Sequence, residues 1–356
     1  MVEDIQRIDS LSFSFREKTM KKIKGVNLGG WFVLESWMKP SLFEGIDSKD
    51  ETGFSLYQKQ AEEKLKKHWE TFITRHDFEY LRSIGVTSVR LPIPWWLEGE
   101  KPYMSALPYI HQAMQWASEL NIDVLLDLHT APGCQNGFDN GGIQGVMEWH
   151  KDPKHIDLTI EKLGFIANTF KHYPSFFGIE VLNEPFVTID LDIIQDFYRR
   201  AYERIRQETD QLIVFHDAFR PEDTSWQPFF EKHKMTHIAF DLHLYHCFSP
   251  ELINGHFDLH IKEIVEKRIP MIRKIHTFIP VIIGEWSLGI NYEKLKKDAS
   301  FDENLYDQLL ASLQLYAYTQ GQGYYFWSYK IDRDSHRNWD FRRLIKDGIL
   351  PKSFSD

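Results

Sequence analysis

At 356 residues, 42% of them apolar and 26% charged, the chain has a globular composition and enough length for one large core. Its 52 acidic against 42 basic side chains leave a formal charge of −10. That balance excludes nucleic acid or an anionic membrane as the main partner, because binding phosphates needs concentrated positive charge. The two cysteines, Cys134 and Cys247, imply no disulfide framework and are expected as free thiols. Residues 1–15 build no apolar leader core, and no run approaches the length of a bilayer span. The expectation is a soluble, monomeric, cytoplasmic protein, although a chain trimmed of a secretory leader would read the same way.

Eight short runs rich in β-branched and aromatic residues recur along the chain: Ile23–Leu28, Ser88–Pro92, Val124–Leu128, Phe177–Leu182, Leu212–Phe215, Ile238–Leu242, Val281–Gly284 and Tyr324–Trp327. Between them, segments such as 68–82 and 193–205 space their apolar residues three or four apart, which predicts helices with one buried face. Strands alternating with helices require a parallel sheet, and eight such units predict an α/β fold, a single (β/α)8 TIM barrel. An open doubly wound sheet is the competitor. No G-x-G-x-x-G follows the first run, however, and Gly29-Gly30 leads into Trp31, which would block a pyrophosphate. With no linker or low-complexity tract, residues 1–356 read as one domain with 1–21 as an N-terminal extension. The tripeptide Asp-Leu-His occurs at 127–129 and again at 241–243, which reads as convergence on similar needs and not as duplication.

In such a barrel the functional face is the C-terminal mouth. The strand ends there present Asn27, Trp31 and Glu35, then Arg90, His129, Asn183 with Glu184, His243 with Tyr245, Glu285 and Trp327. Two of these, Glu184 and Glu285, close apolar runs in separate motifs. A pair of carboxylates facing one ligand is what cleavage of a glycosidic bond needs. Taken singly, each of these residues has a bland reading as a cap, an ion pair or a satisfied core group. Two other classes stay open at this point. One is a metal-dependent barrel hydrolase, prompted by His243-x-x-His246, which lacks the His-x-His expected on strand one. The other is a barrel that binds carbohydrate without cleaving it.

Gly25-Val-Asn-Leu-Gly-Gly-Trp-Phe-Val-Leu-Glu35, Val89-Arg-Leu-Pro92, Asp127-Leu-His-Thr-Ala-Pro-Gly133, Gln135-Asn-Gly-Phe-Asp-Asn140, Leu182-Asn-Glu-Pro185, Ile283-Gly-Glu-Trp-Ser287 and Phe326-Trp-Ser-Tyr-Lys330 occur in that order. The set resembles glycoside hydrolase family 5, and within it the exo-β-1,3-glucanase branch, from about Lys24 to Pro351. The resemblance implies Glu184 as general acid/base and Glu285 as nucleophile of a retaining β-glucosidase. It further implies Arg90, His129, Asn183, His243, Tyr245 and Trp327 around the sugar, and Glu35 gripping it. Phe138 and Phe248 flank the entrance, with Asp139 beside them. The implied partner is a β-linked glucoside or oligosaccharide. No metal and no organic cofactor enters the scheme. Endo action, or a different linkage or aglycone, stays open. For the mechanism to run, Glu285 is expected ionised beside Arg90, and Glu184 protonated, its pKa raised by burial and by Glu285.

Overall fold

The computed structural model describes residues 21–293, 296 and 301–354, so the N-terminal extension lies outside the described residues apart from Lys21. The strands are β1 Ile23–Asn27, β2 Ser88–Ile93, β3 Asp123–Leu128, β4 Phe176–Glu180, β5 Leu212–His216, β6 Ile238–His243, β7 Val281–Trp286 and β8 Gly323–Phe326. They pair in parallel in chain order and close through β8 and β1 into a barrel. All eight predicted runs are strands, but two ends differ where it matters. β4 stops at Glu180, which leaves Glu184 on the loop beyond it, whereas β7 continues through Trp286 and carries Glu285 within the strand.

Helices fill the crossovers, among them Pro153–Phe170, Leu191–Arg206 and Glu303–Tyr318. The stripe predicted from 193–205 is buried at Ile194, Phe197, Tyr198, Ala201 and Ile205. The stretch 68–82 is not one helix. Ala61–Thr71 ends, and Arg75–Ser83 begins at Thr74, whose backbone N–H donates to the Asp77 side chain at 2.8 Å. This reciprocal cap restarts the chain in a new direction. Apolar spacing alone misses the break because both helices turn apolar faces to the same core.

Strand residues alternate between the barrel axis and the helical shell. Outward residues such as Val26, Val89, Leu126, Ile179 and Ile283 join one large core with the helices. Inward residues divide by height. At the floor, Ile23, Leu125, Leu212, Val214, Ala239, Ile282 and Tyr325 form an apolar plug. Above it, the same alternation presents Asn27, Arg90, Asp127, Glu180, His216 and Asp241, all fully buried. The barrel is thus dry below and polar above, and the polar layer supports the mouth.

At the closing seam, Gly323 has φ +145° and a side chain there would meet the Ile23 carbonyl oxygen at 2.1 Å. Gly323→Ala is therefore expected to cost about 2 kcal/mol or more, read as a lowered urea midpoint with unchanged m-value.

Candidate active site

Arg90 stands at the centre of the polar layer with no exposed surface. Its Nε donates to Glu180 at 2.6 Å, Nη1 to Asn27 Oδ1 and to Glu285 Oε1 at 3.0 Å each, and Nη2 to Asn183 Oδ1 at 2.7 Å. Asp127 also lies 3.1 Å from Nη2. A guanidinium cannot give up its charge and presents a rigid fork of donors. One side chain from β2 therefore fixes groups from β1, β3, β4 and β7.

The two predicted carboxylates come together across the mouth. Glu285 is held by Arg90 and by the Tyr245 hydroxyl, which donates to Oε2 at 2.7 Å. β7 loses register with β8 between Ile283 and Trp286, and such irregularities re-aim side chains. Glu184 has φ +46°, an uncommon setting for a residue with a side chain and one found often at functional positions. Its Oε1 lies 2.7 Å from His243 Nδ1, and Glu285 Oε2 lies 3.5 Å from the same nitrogen. Those two oxygens are no farther apart than the two distances laid end to end. Both carboxylates therefore face the same small space at the mouth.

The charge states differ from the expectation for Glu184. Burial by itself would raise its pKa, but the hydrogen bond and charge of His243, and a further bond from Asn140, outweigh burial and bring it below the ordinary value. Burial would likewise lower His243, yet the charges of Glu285 and Asp241 hold it well above the ordinary imidazole range. Glu285 is raised by burial, opposed first by His243 and then by Arg90. The directions of these shifts favour a proton on His243 over one on Glu184, the reverse of the expectation. The sequence argument weighed the two carboxylates against each other and left out the imidazole between them.

The remaining predicted residues surround this pair. Asn183 is buried with Nδ2 unpartnered, His129 has Nδ1 on Asp127 at 2.5 Å with Nε2 unpartnered, and Glu35 takes a bond from Trp37 at 2.8 Å with Oε1 unpartnered. Glu35 is pushed well above the ordinary carboxylate range, by burial and then by the charge of Asp139, itself raised by burial. Trp327 lies parallel to His129 with ring centroids 5.4 Å apart. Phe138 and Phe248 are 40% and 69% exposed, as entrance residues should be, on the loops after β3 and β6. Trp31 does not join the site: it is core, stacked on Phe32.

Cys134 and Cys247 are both unpaired, Cys134 is buried, and burial raises the pKa of each. His246 turns away from His243 and packs between His260 and Arg268. Metal-spaced donor sets do occur among the described residues, Glu184 with His216 and His243, and Glu180 with Asp241 and His243. Both need His243, whose two nitrogens already face Glu184 and Asp241.

Sequence reasoning missed the second tier. Asp127 and Asp241 orient His129 and His243, each two residues further along the chain, which is the physical sense of the repeated Asp-Leu-His. The period-two alternation could have found them, and Glu180 with them. Gly284 serves this tier, since a Cβ there would lie 1.9 Å from Asp241 Oδ2. Asn140, which donates to Glu184 Oε2 at 2.9 Å, carried no such signal.

His243 gains its proton on folding, so its stabilising contribution is fully present below the unfolded value near about 6.5 and is lost as pH rises through the higher folded value. The difference in unfolding free energy between wild type and His243→Gln is expected to shrink across that alkaline window, measured by urea unfolding at stepped pH.

Residues 49–333 match the Cellulase family, glycosyl hydrolase family 5. A glucan 1,3-beta-glucosidase of Kluyveromyces lactis is 31% identical, over 97% of this chain and 92% of its own. Glucan 1,3-beta-glucosidase 2 of Wickerhamomyces anomalus is 31% identical over 93% of this chain and 88% of its own. Among solved structures, a rutinosidase from Aspergillus niger superposes with a TM-score of 0.79 at 20% identity, covering 93% of this chain and 98% of the other, a likeness of fold. These relatives overturn the cytoplasmic placement. That reading rested on residues 1–15, outside the described residues, whereas the fungal glucan 1,3-beta-glucosidases matched along nearly the whole chain give it no support. Among the described residues no helix is long and apolar enough to cross a membrane. A family match over most of the chain, relatives alike from end to end, and a closed barrel with two carboxylates at its mouth lead to one conclusion: the chain is a glycosidase and belongs to glycosyl hydrolase family 5.

Proposed function

We propose that the chain is a retaining, exo-acting β-glucosidase of β-1,3-linked glucan or related gluco-oligosaccharides, with Glu285 as nucleophile and Glu184 as acid/base. The observation that carries the reading is the approach of both carboxylates to the one nitrogen of His243. The relatives' names support the β-1,3-glucan, and the exposed Phe138 and Phe248 at the rim support a narrow pocket.

In the first step a Glu285 oxygen attacks C1 while Glu184 protonates the departing glycosidic oxygen. The proton count of the open site already suffices. As sugar displaces water, an ion pair between Glu184 and His243 is favoured less, and the proton crosses the 2.7 Å bond to Glu184. Arg90 and Tyr245 keep Glu285 aligned for attack. Asn183 Nδ2 faces the sugar 2-OH, a bond that tightens as oxocarbenium character develops, while His129 and Glu35 take further hydroxyls. In the second step Glu184 takes a proton from water, which attacks C1 and releases Glu285 as carboxylate.

Glu285→Gln is expected to lower turnover of an activated aryl β-glucoside by on the order of 10⁴ or more, with folding intact by circular dichroism; wild-type turnover would remove the nucleophile assignment. On laminarin, glucose alone is expected at early times by chromatography. A ladder of oligosaccharides instead would make the enzyme endo-acting.

A further inference from the structure

The loop that carries Phe138 is joined to Glu184 by a chain of amide hydrogen bonds, and the direction of each can be assigned. The backbone N–H of Phe138 can only donate, and it does so to Asn136 Oδ1 at 3.0 Å. This sets the Asn136 amide, so its Nδ2 is the end that donates to Asn140 Oδ1 at 2.9 Å. Asn140 Oδ1 is thereby an acceptor, and Nδ2 is the atom presented to Glu184 Oε2 at 2.9 Å.

The relay is held from both ends. Asn136 is buried, and beside it the Cys134 sulfur accepts the Gly137 N–H at 3.3 Å. Gln135 ties the loop to the β4 end, its Nε2 donating to the carbonyls of His129 and Asn183 at 2.9 Å each. The Phe186 N–H returns a bond to the Gln135 carbonyl at 3.3 Å.

We propose that Asn140 is a positioning residue that decides which oxygen of Glu184 carries the acidic proton. The amide donates permanently to Oε2, and the hydroxyl oxygen of a carboxylic acid is a poorer acceptor than its carbonyl oxygen. Oε2 is therefore kept as the carbonyl, and the hydrogen is confined to Oε1. Oε1 is the atom that faces His243 Nδ1, and Asp241 Oδ2 stands 3.3 Å from His243 Nε2. The proton then has one route, from Nδ1 to Oε1 and from Oε1 to the glycosidic oxygen. It leaves Glu184 as carboxylate and His243 neutral while the C1–oxygen bond breaks and the bond from Glu285 to C1 forms. Protonation on Oε2 would place the hydrogen away from this route. Because Asn140 lies two residues after Phe138, the loop that flanks the leaving group also sets the acid that protonates it.

This inference rests on Glu184 being the acid/base, and the test separates the two. Asn140→Ala and the isosteric Asn140→Asp are assayed on 2,4-dinitrophenyl β-glucoside, whose leaving group needs little protonation, and on laminaribiose, whose leaving group needs it fully. For both variants the loss of kcat/KM on laminaribiose is expected to exceed the loss on the dinitrophenyl glucoside by about tenfold or more. The alkaline limb of the pH profile is expected to move up, because a donor to the ionised carboxylate has gone. Asn140→Asp should be the more impaired, since an oxygen facing Oε2 draws the hydrogen there. Equal losses on both substrates with an unmoved alkaline limb would make Asn140 merely structural and overturn the proposal. Glu184→Gln runs alongside: wild-type activity of that variant on laminaribiose would refute the acid assignment itself, whatever the Asn140 variants do.

Discussion

One permanently charged side chain in a dry place organises this molecule. Arg90 lies in the barrel with no exposed surface, where an unpaired charge would be prohibitive, so its donors must all be met. They are met by Glu180, Asn27, Glu285, Asn183 and Asp127. The partners come from both ends of the chain and from the middle, and their meeting requires the barrel to close. A lysine would supply a point charge without the fork, and the planar alignment of Asn183 with Glu285 would be lost.

On that foundation the two mouth carboxylates become unlike. Glu285 takes bonds from Arg90 and Tyr245, and Glu184 from His243 and Asn140. Different partners on chemically identical groups separate their proton affinities, which is what the proposed acid and nucleophile roles require. At the mouth the surrounding carboxylates push the His243 pKa up, and the bond from His243 pulls the Glu184 pKa down. Asp241 holds that histidine from below and is itself pinned by the Gly284 N–H at 2.5 Å.

Three polar atoms at the mouth are left unspent: Glu35 Oε1, His129 Nε2 and Asn183 Nδ2. Each sits on a group whose other atoms are fixed by the scaffold, so each is preoriented toward a ligand at no further conformational cost. A site of this kind penalises any ligand that lacks the matching hydroxyl, since the unmatched atom stays buried without a bond. The parallel His129 and Trp327 rings and the exposed Phe138 and Phe248 add flat apolar surface suited to the C–H faces of a pyranose.

The chain order of β-branched runs and amphipathic spacers was enough to determine eight strands, the crossovers between them and the barrel they close. The residues at the strand ends were enough to place Glu184, Glu285, Arg90, His129, Asn183, His243 and Tyr245 at one mouth as candidates, because side-chain periodicity and strand direction are local properties. What the linear order could not determine was who touches whom. The helix break at Thr74 depended on a cap with Asp77, and the core position of Trp31 on packing against Phe32. The lowered pKa of Glu184 depended on an imidazole 59 positions away and an amide 44 positions away. Hydrogen bonding and charge act through space over a few ångströms, and only closure of the barrel brings such distant positions within that range.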